Sequence, residues 1–337
     1  MNLRTLRGLA PRTVIRPALL AIGAIAAAAL AATAISAPPR VVDHGVHLGP
    51  VADDYLPIAA APAVPSEPAP GSRASTGSFA SQCGRNLDGH RNSDNVITAP
   101  GVSNGAHHVH DYVGNVSTDR TSTEPSLTAA ATTCRRDDRS VYFWPVLRDV
   151  QHIGADANRP GGGQDGNLGQ IVLPARVSIA FLGNPQSPVT PMPRFLRIVT
   201  GNAKAATTGK DGRARWSCSG TPDRATTHYP LCPAGELVQR TGESPSCWNG
   251  TDIDSETHRT HVAFPDPATG ACPAGTVAIP KLRITLGYRV PPGRSYAIDS
   301  FPDQQRRALT DHFDFLNVMS EPLMREAVDC LNSGRTC

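Results

Sequence analysis

The sequence predicts a mainly β fold: a disulfide-braced, sandwich- or barrel-like single domain with long loops and one C-terminal helix. Three observations carry this expectation. Runs of β-branched and aromatic residues recur at 140–147, 175–182, 195–200 and 282–290, each bounded by Gly, Pro, Asn or Asp. The eight cysteines all follow the N-terminal leader, and their even number suits a disulfide framework. Gly and Pro are abundant, at 30 and 31 residues, and build connections longer than simple turns, such as residues 158–169.

The elements follow in chain order. Arg4, Arg7, Arg12 and Arg16 precede an acid-free apolar run at residues 18–37, ending in small residues. Residues 1–37 therefore read as a secretory signal peptide, or as an N-terminal membrane anchor if uncleaved, with the rest outside the cytoplasm. Residues 38–78 are rich in Pro and Ala without apolar periodicity, which predicts a disordered linker. Residues 79–337 are long enough for one substantial core. Within them Leu282, Ile284 and Leu286 alternate with Arg283 and Thr285, as on a half-buried strand. The helix is expected to start at a Ser320 cap with Glu321 and Pro322 in its first turn. Its apolar stripe is Leu323, Ala327, Val328 and Leu331, and Gly334 ends it.

Cysteine and charge narrow the function classes. Two pairings stand out, Cys330 with Cys337 across a Gly-containing turn and Cys247 with Cys272 around a histidine motif; the other partners stay open. No Cys-x-x-Cys pair is present, which argues against a thiolate zinc site. The net charge is +3, and removing the four leader arginines leaves −1. Basic residues are scattered, so no nucleic-acid partner is expected, and a membrane is met only through the N-terminal segment. Gly161-Gly-Gly-Gln-Asp-Gly166 matches a dinucleotide fingerprint but precedes a strand-like run, so it reads as a loop.

Six of the eleven histidines fall in three motifs that also carry Asp. In Asn104-Gly-Ala-His-His-Val-His-Asp111, His108 and His110 lie two apart, and on an extended segment both face one side while Val109 faces the core. Asp111 is placed to orient a ring. In Asp252-Ile-Asp-Ser-Glu-Thr-His-Arg-Thr-His261, two carboxylates, Asp252 and Asp254, precede His258 and His261 on a loop next to Cys247. His312 sits in Asp311-His-Phe-Asp314 among aromatics. Each has a bland reading as a hydrogen-bonded turn or a satisfied core residue. Their grouping favours a site.

These segments, taken in order, resemble a known family. Gly101-Val-Ser-Asn-Gly-Ala-His-His-Val-His-Asp-Tyr-Val-Gly-Asn115, Thr133-Cys134 with Ser140-Val-Tyr-Phe-Trp-Pro-Val-Leu147, Ser246-Cys-Trp-Asn-Gly-Thr-Asp-Ile-Asp-Ser-Glu-Thr-His-Arg-Thr-His-Val-Ala-Phe264, Cys272-Pro273, Ile279-Pro-Lys-Leu282 and His312-Phe-Asp-Phe315 carry the resemblance. The chain is similar, over residues 79–317, to the secreted domain of unknown function DUF1996 of actinobacteria and filamentous fungi, in fungi often joined to WSC modules. Asn249, Thr260 and Phe264 depart from the family's Asp, Ser and Tyr, and Asn249 puts a catalytic role for that position in doubt. The resemblance implies that the three histidine motifs belong together, in a cell-wall or polysaccharide setting, and it brings no activity with it.

The expected function is that of an exported cell-envelope protein binding or cleaving a polysaccharide through His108, His110, Asp252, Asp254, His258, His261 and His312. A hydrolase would use Asp252 or Asp254 with a histidine, at a carboxylate separation of roughly 5 to 9.5 Å. A lyase would use histidine with Tyr112 or an arginine, and Tyr112 and Trp248 would stack on sugar rings. The alternatives are a zinc or copper protein with His108, His110, His258 and His261 or His312 as ligands, and a non-catalytic wall-binding module.

Overall fold

A computed structural model describes residues 49–337, so the expected leader at 1–37 lies outside the described residues. The strand-like runs form two antiparallel sheets. One has six strands, in the order Thr221–Thr226, Trp216–Cys218, Val238–Glu243, Lys281–Tyr288, Arg176–Leu182 and Ser78–Ser81. The other has five: Arg91–Asn92, His110–Gly114, Val141–Pro145, His312–Leu316 and Arg197–Gly201.

Alternation sets which faces meet. Leu282, Ile284 and Leu286 are buried while Arg283 and Thr285 are half-exposed, and Ile179 and Phe181 point the same way from the paired strand. Tyr142, Trp144, Phe313 and Phe315 face them from the five-stranded sheet in one shared core. Phe181 and Phe315 meet across it with ring centroids 6.0 Å apart. Gly242 is required there, because a Cβ would lie 2.3 Å from the Phe313 ring. The result is a two-sheet sandwich. The far side of the five-stranded sheet carries a second, smaller core that includes Tyr112, Val141, Phe143, Val199 and Leu316, and the site lies at its edge.

The run at 140–147 divides at its proline. Val141–Pro145 is central in the five-stranded sheet, whereas Leu147–Asp149 joins a small sheet with Tyr296–Ile298 and Gln170–Val172. The C-terminal helix spans Glu321–Asn332, and the Ser320 hydroxyl accepts the Leu323 N–H. Four disulfides form: Cys83–Cys134, Cys218–Cys232, Cys247–Cys272 and Cys330–Cys337. No described helix is long and apolar enough to cross a membrane.

The expected linker needs correction over its described part. Tyr55–Pro57 pairs in parallel with Tyr229–Leu231, and Tyr55, Ile58 and Ala61 are buried. The Tyr55 ring packs between Tyr229 and Tyr296, at 5.1 and 5.8 Å, and its hydroxyl donates to the Tyr296 carbonyl. Pro/Ala richness without apolar periodicity predicted disorder, but the anchors Tyr55, Ile58 and Ala61 suffice when the body supplies a strand edge and a tyrosine socket.

Candidate metal centre

The five-stranded sheet builds the site by register. His110 opens its strand opposite Pro145, and His312 opens the strand on the other side of the Val141–Pro145 strand. Both rings project to the face away from the main core, and the His110 ring lies 5.1 Å from that of Phe143. His108 reaches the same point from the bend just before the strand, with its ring 5.3 Å from Phe301. At the neighbouring strand end Gly201 adopts φ +84°, and a Cβ there would lie 2.5 Å from the Asp311 carbonyl. Only glycine lets the chain close beside His312.

Three Nε2 atoms converge. His108 and His110 are 2.9 Å apart, His108 and His312 3.2 Å, and His110 and His312 3.4 Å. All three residues are buried. His110 Nδ1 lies 3.1 Å from the Asp94 carbonyl and His312 Nδ1 2.9 Å from the Thr310 carbonyl. A carbonyl only accepts, so both Nδ1 atoms carry the proton and both Nε2 atoms are bare when the rings are neutral. Burial, reinforced by the mutual proximity of the rings, pushes His108 and His110 well below the usual imidazole range, and burial takes His312 down to about 4.

Neutral rings leave this cluster electrostatically incomplete. A proton on His108 Nε2 serves one of the three contacts, and the His110–His312 contact remains lone pair against lone pair. His108 Nδ1 has no hydrogen-bond partner. A cation resolves the conflict. Tetrahedral ligation at about 2.0–2.1 Å places nitrogens roughly 3.3–3.4 Å apart, close to the spacing found. The backbone carbonyls behind His110 and His312 fix the tautomer that a metal-binding imidazole needs. Among the described residues, these three form the histidine group able to hold one ion.

The neutral rings also set an acid response for the metal-free fold. Unfolded imidazoles titrate near 6.5 and the folded rings lower, so below about pH 6.5 the unfolded chain binds more protons. Stability is then expected to fall as pH drops from about 6.5 towards 4. A urea midpoint in chelator that is equal at about pH 7 and pH 4.5 would contradict neutral rings.

The second motif sits beside this centre rather than in it. Its loop straps the edge strand Arg197–Gly201: the Arg197 N–H donates to Ile253 and Arg259 Nη2 donates to the Gly201 carbonyl at 2.6 Å. His261 spends both nitrogens locally, with Nδ1 3.0 Å from Ser255 Oγ and Nε2 2.6 Å from the Arg197 carbonyl. His258 Nδ1 bonds Asp254, and Asp252 accepts from Asn249. Of the expected ligands His108, His110, His258 and His261 or His312, the structure brings His108, His110 and His312 together and leaves His258 and His261 bonded elsewhere. The proximity of His258 and His261 in sequence reflects loop bracing.

Two other expectations change. Asp111 orients no ring; it lies on the opposite face, bonded to Arg91 and Asn86. Tyr112 cannot stack on a sugar, being buried between His90 and Phe143 at 4.9 and 5.0 Å. The sequence reading also missed the Asp94 and Thr310 carbonyls, which no side-chain pattern can announce.

The fold and the site define a class: a disulfide-braced β-sandwich with a buried three-histidine cluster at one sheet end. The chain belongs to the family described as Domain of unknown function (DUF1996), whose profile matches residues 95–318 and so spans all three histidine motifs. No curated protein and no solved structure matches the chain.

Proposed function

We propose that this is an exported metal-binding protein whose centre is His108, His110 and His312. The observation that carries the reading is the convergence of three buried Nε2 atoms, two with tautomers fixed from behind. Three neutral imidazoles without thiolate suit a borderline divalent ion, zinc or copper, and three protein ligands leave a position open for exchange. Such an ion supplies Lewis-acid chemistry, and the chain supplies ligands and a dry wall of Phe143 and Phe301. Four disulfides support an oxidising compartment, hence a location outside the cytoplasm. Protein stripped with chelator and reloaded should hold one zinc or copper per chain by elemental analysis, and His312→Ala should hold none. Wild type that takes up neither ion would refute the centre.

A polysaccharide-binding role draws support from a different place. Asp254 and His258 form a part-exposed pair, with side chains 26% and 27% accessible, and half-buried Trp248 lies on the same loop. Under that reading the protein is retained on insoluble wall polysaccharide, and Trp248→Ala elutes freely in a co-sedimentation assay. Equal retention of both proteins would count against it.

A further inference from the structure

A buried ion needs a way in. His108, His110 and His312 are at most 3% exposed, so their Nε2 atoms are shut off from solvent, and from any chelator, in the closed fold. The rings that wall the cluster differ in exposure. Phe143 and Tyr112 lie against His110, at 5.1 and 6.1 Å between centroids, and both are buried. Phe301 stands edge-on to His108 at 5.3 Å and is only half-buried. Among the described residues it is the one aromatic ring, apart from the histidines themselves, that touches the cluster and also meets solvent.

The backbone around Phe301 is pinned. The buried Asn167 amide donates to the His107 carbonyl at 3.1 Å and to the Ser300 carbonyl at 3.0 Å, while its Oδ1 accepts the Ser300 N–H at 3.0 Å. The Phe301 carbonyl accepts the Gln304 N–H at 3.0 Å. The segments that carry His108 and Phe301 are thus tied to each other, and an opening that keeps these bonds is a rotation of the Phe301 side chain. Two surface groups rest on its ring. Lys204 Nζ lies 5.1 Å from the centroid, within cation–π reach, and Lys204 is exposed. The His107 ring lies 5.8 Å away and is itself held by Asp165 at 2.8 Å. With φ +53° at His107, two consecutive imidazoles reach the same phenyl ring, one at the surface and one in the centre.

We propose that Phe301 is the gate of the three-histidine centre: an ion, or a small ligand exchanging on it, passes when the ring swings off His108, and Lys204 holds the ring shut. This rests on the metal-centre reading. The closed ring keeps bulk water from the ion. The cation–π contact exists only while the ring is closed, so Lys204 slows opening without touching the ion.

Zinc-loaded full-length protein mixed with excess EDTA tests the gate through the rate of zinc release, with urea unfolding rates of the same proteins run alongside. Zinc content by elemental analysis is measured first. In Phe301→Ala, release should be at least about tenfold faster at one zinc per chain, a larger rise than that in its unfolding rate. Lys204→Met, which removes an exposed charge and leaves the core intact, should release zinc about 2–5-fold faster, the size of one exposed cation–π contact. Equal release from wild type and both variants, or release rates that only track unfolding, would overturn the gate and leave the centre standing. Lys204→Met at the wild-type rate would overturn the part given to Lys204. Protein that holds no zinc would overturn the centre itself and the gate with it.

Discussion

Asp311→Ala is expected to destabilise the fold by about 3–5 kcal/mol, because it strands a charge in the core. Arg240 projects inward from the six-stranded sheet and is fully buried, ringed by Trp216, Tyr288 and Phe313. Its Nε donates to Asp311 at 3.0 Å, its Nη2 to the other carboxylate oxygen, and its Nη1 to the Pro145 carbonyl at 2.8 Å. One guanidinium thus ties one sheet to two strands of the other. Without Asp311 it keeps its charge and loses its counter-ion. Asp311→Asn, which preserves an acceptor, should cost less. The apolar pair Arg240→Met with Asp311→Leu should recover most of the loss, since desolvation falls on both charges when they are removed together. Urea unfolding of the four proteins checks the order, and a single-variant loss below about 1 kcal/mol would mean that water reaches the pair.

The architecture was legible from the sequence where local physics decides. Alternation at Leu282, Ile284 and Leu286, the Ser320 cap and the Cys247–Cys272 and Cys330–Cys337 pairs depend on near neighbours, and each is found in the structure. The site was legible only in part. His108 and His110 could be joined by their spacing, but His312 joins them through two strand pairings that bridge 202 residues. No local pattern encodes that register. The second motif misled for the converse reason: two His and two Asp within ten residues look like a site, yet His261 and Ser255 are used to brace a loop along a sheet edge. The docked segment at Tyr55 failed differently, since its anchor is a socket made by Tyr229 and Tyr296 far along the chain.

Metal is expected to stabilise the wild type strongly and His312→Ala not at all. An ion that binds only the folded chain adds about 4 kcal/mol at a thousandfold excess over Kd, which in a domain of this size raises Tm by roughly 8–16 °C. The variant loses that rise because two imidazoles hold an ion far more weakly than three; disturbing even a supporting group behind a ligand costs about 10–100-fold in affinity. The metal-free proteins should behave unlike an ordinary core deletion. Truncating a buried ring usually costs about 3–5 kcal/mol, but here it also removes the contact between the bare Nε2 atoms of His110 and His312, 3.4 Å apart. In chelator, His312→Ala should therefore fall short of wild type by less than about 3 kcal/mol. Calorimetric scans of both proteins, with zinc and with chelator, separate the two terms. A zinc-dependent rise that survives in His312→Ala would place the ion elsewhere, and a full core-deletion cost in chelator would show that the three rings are not in conflict.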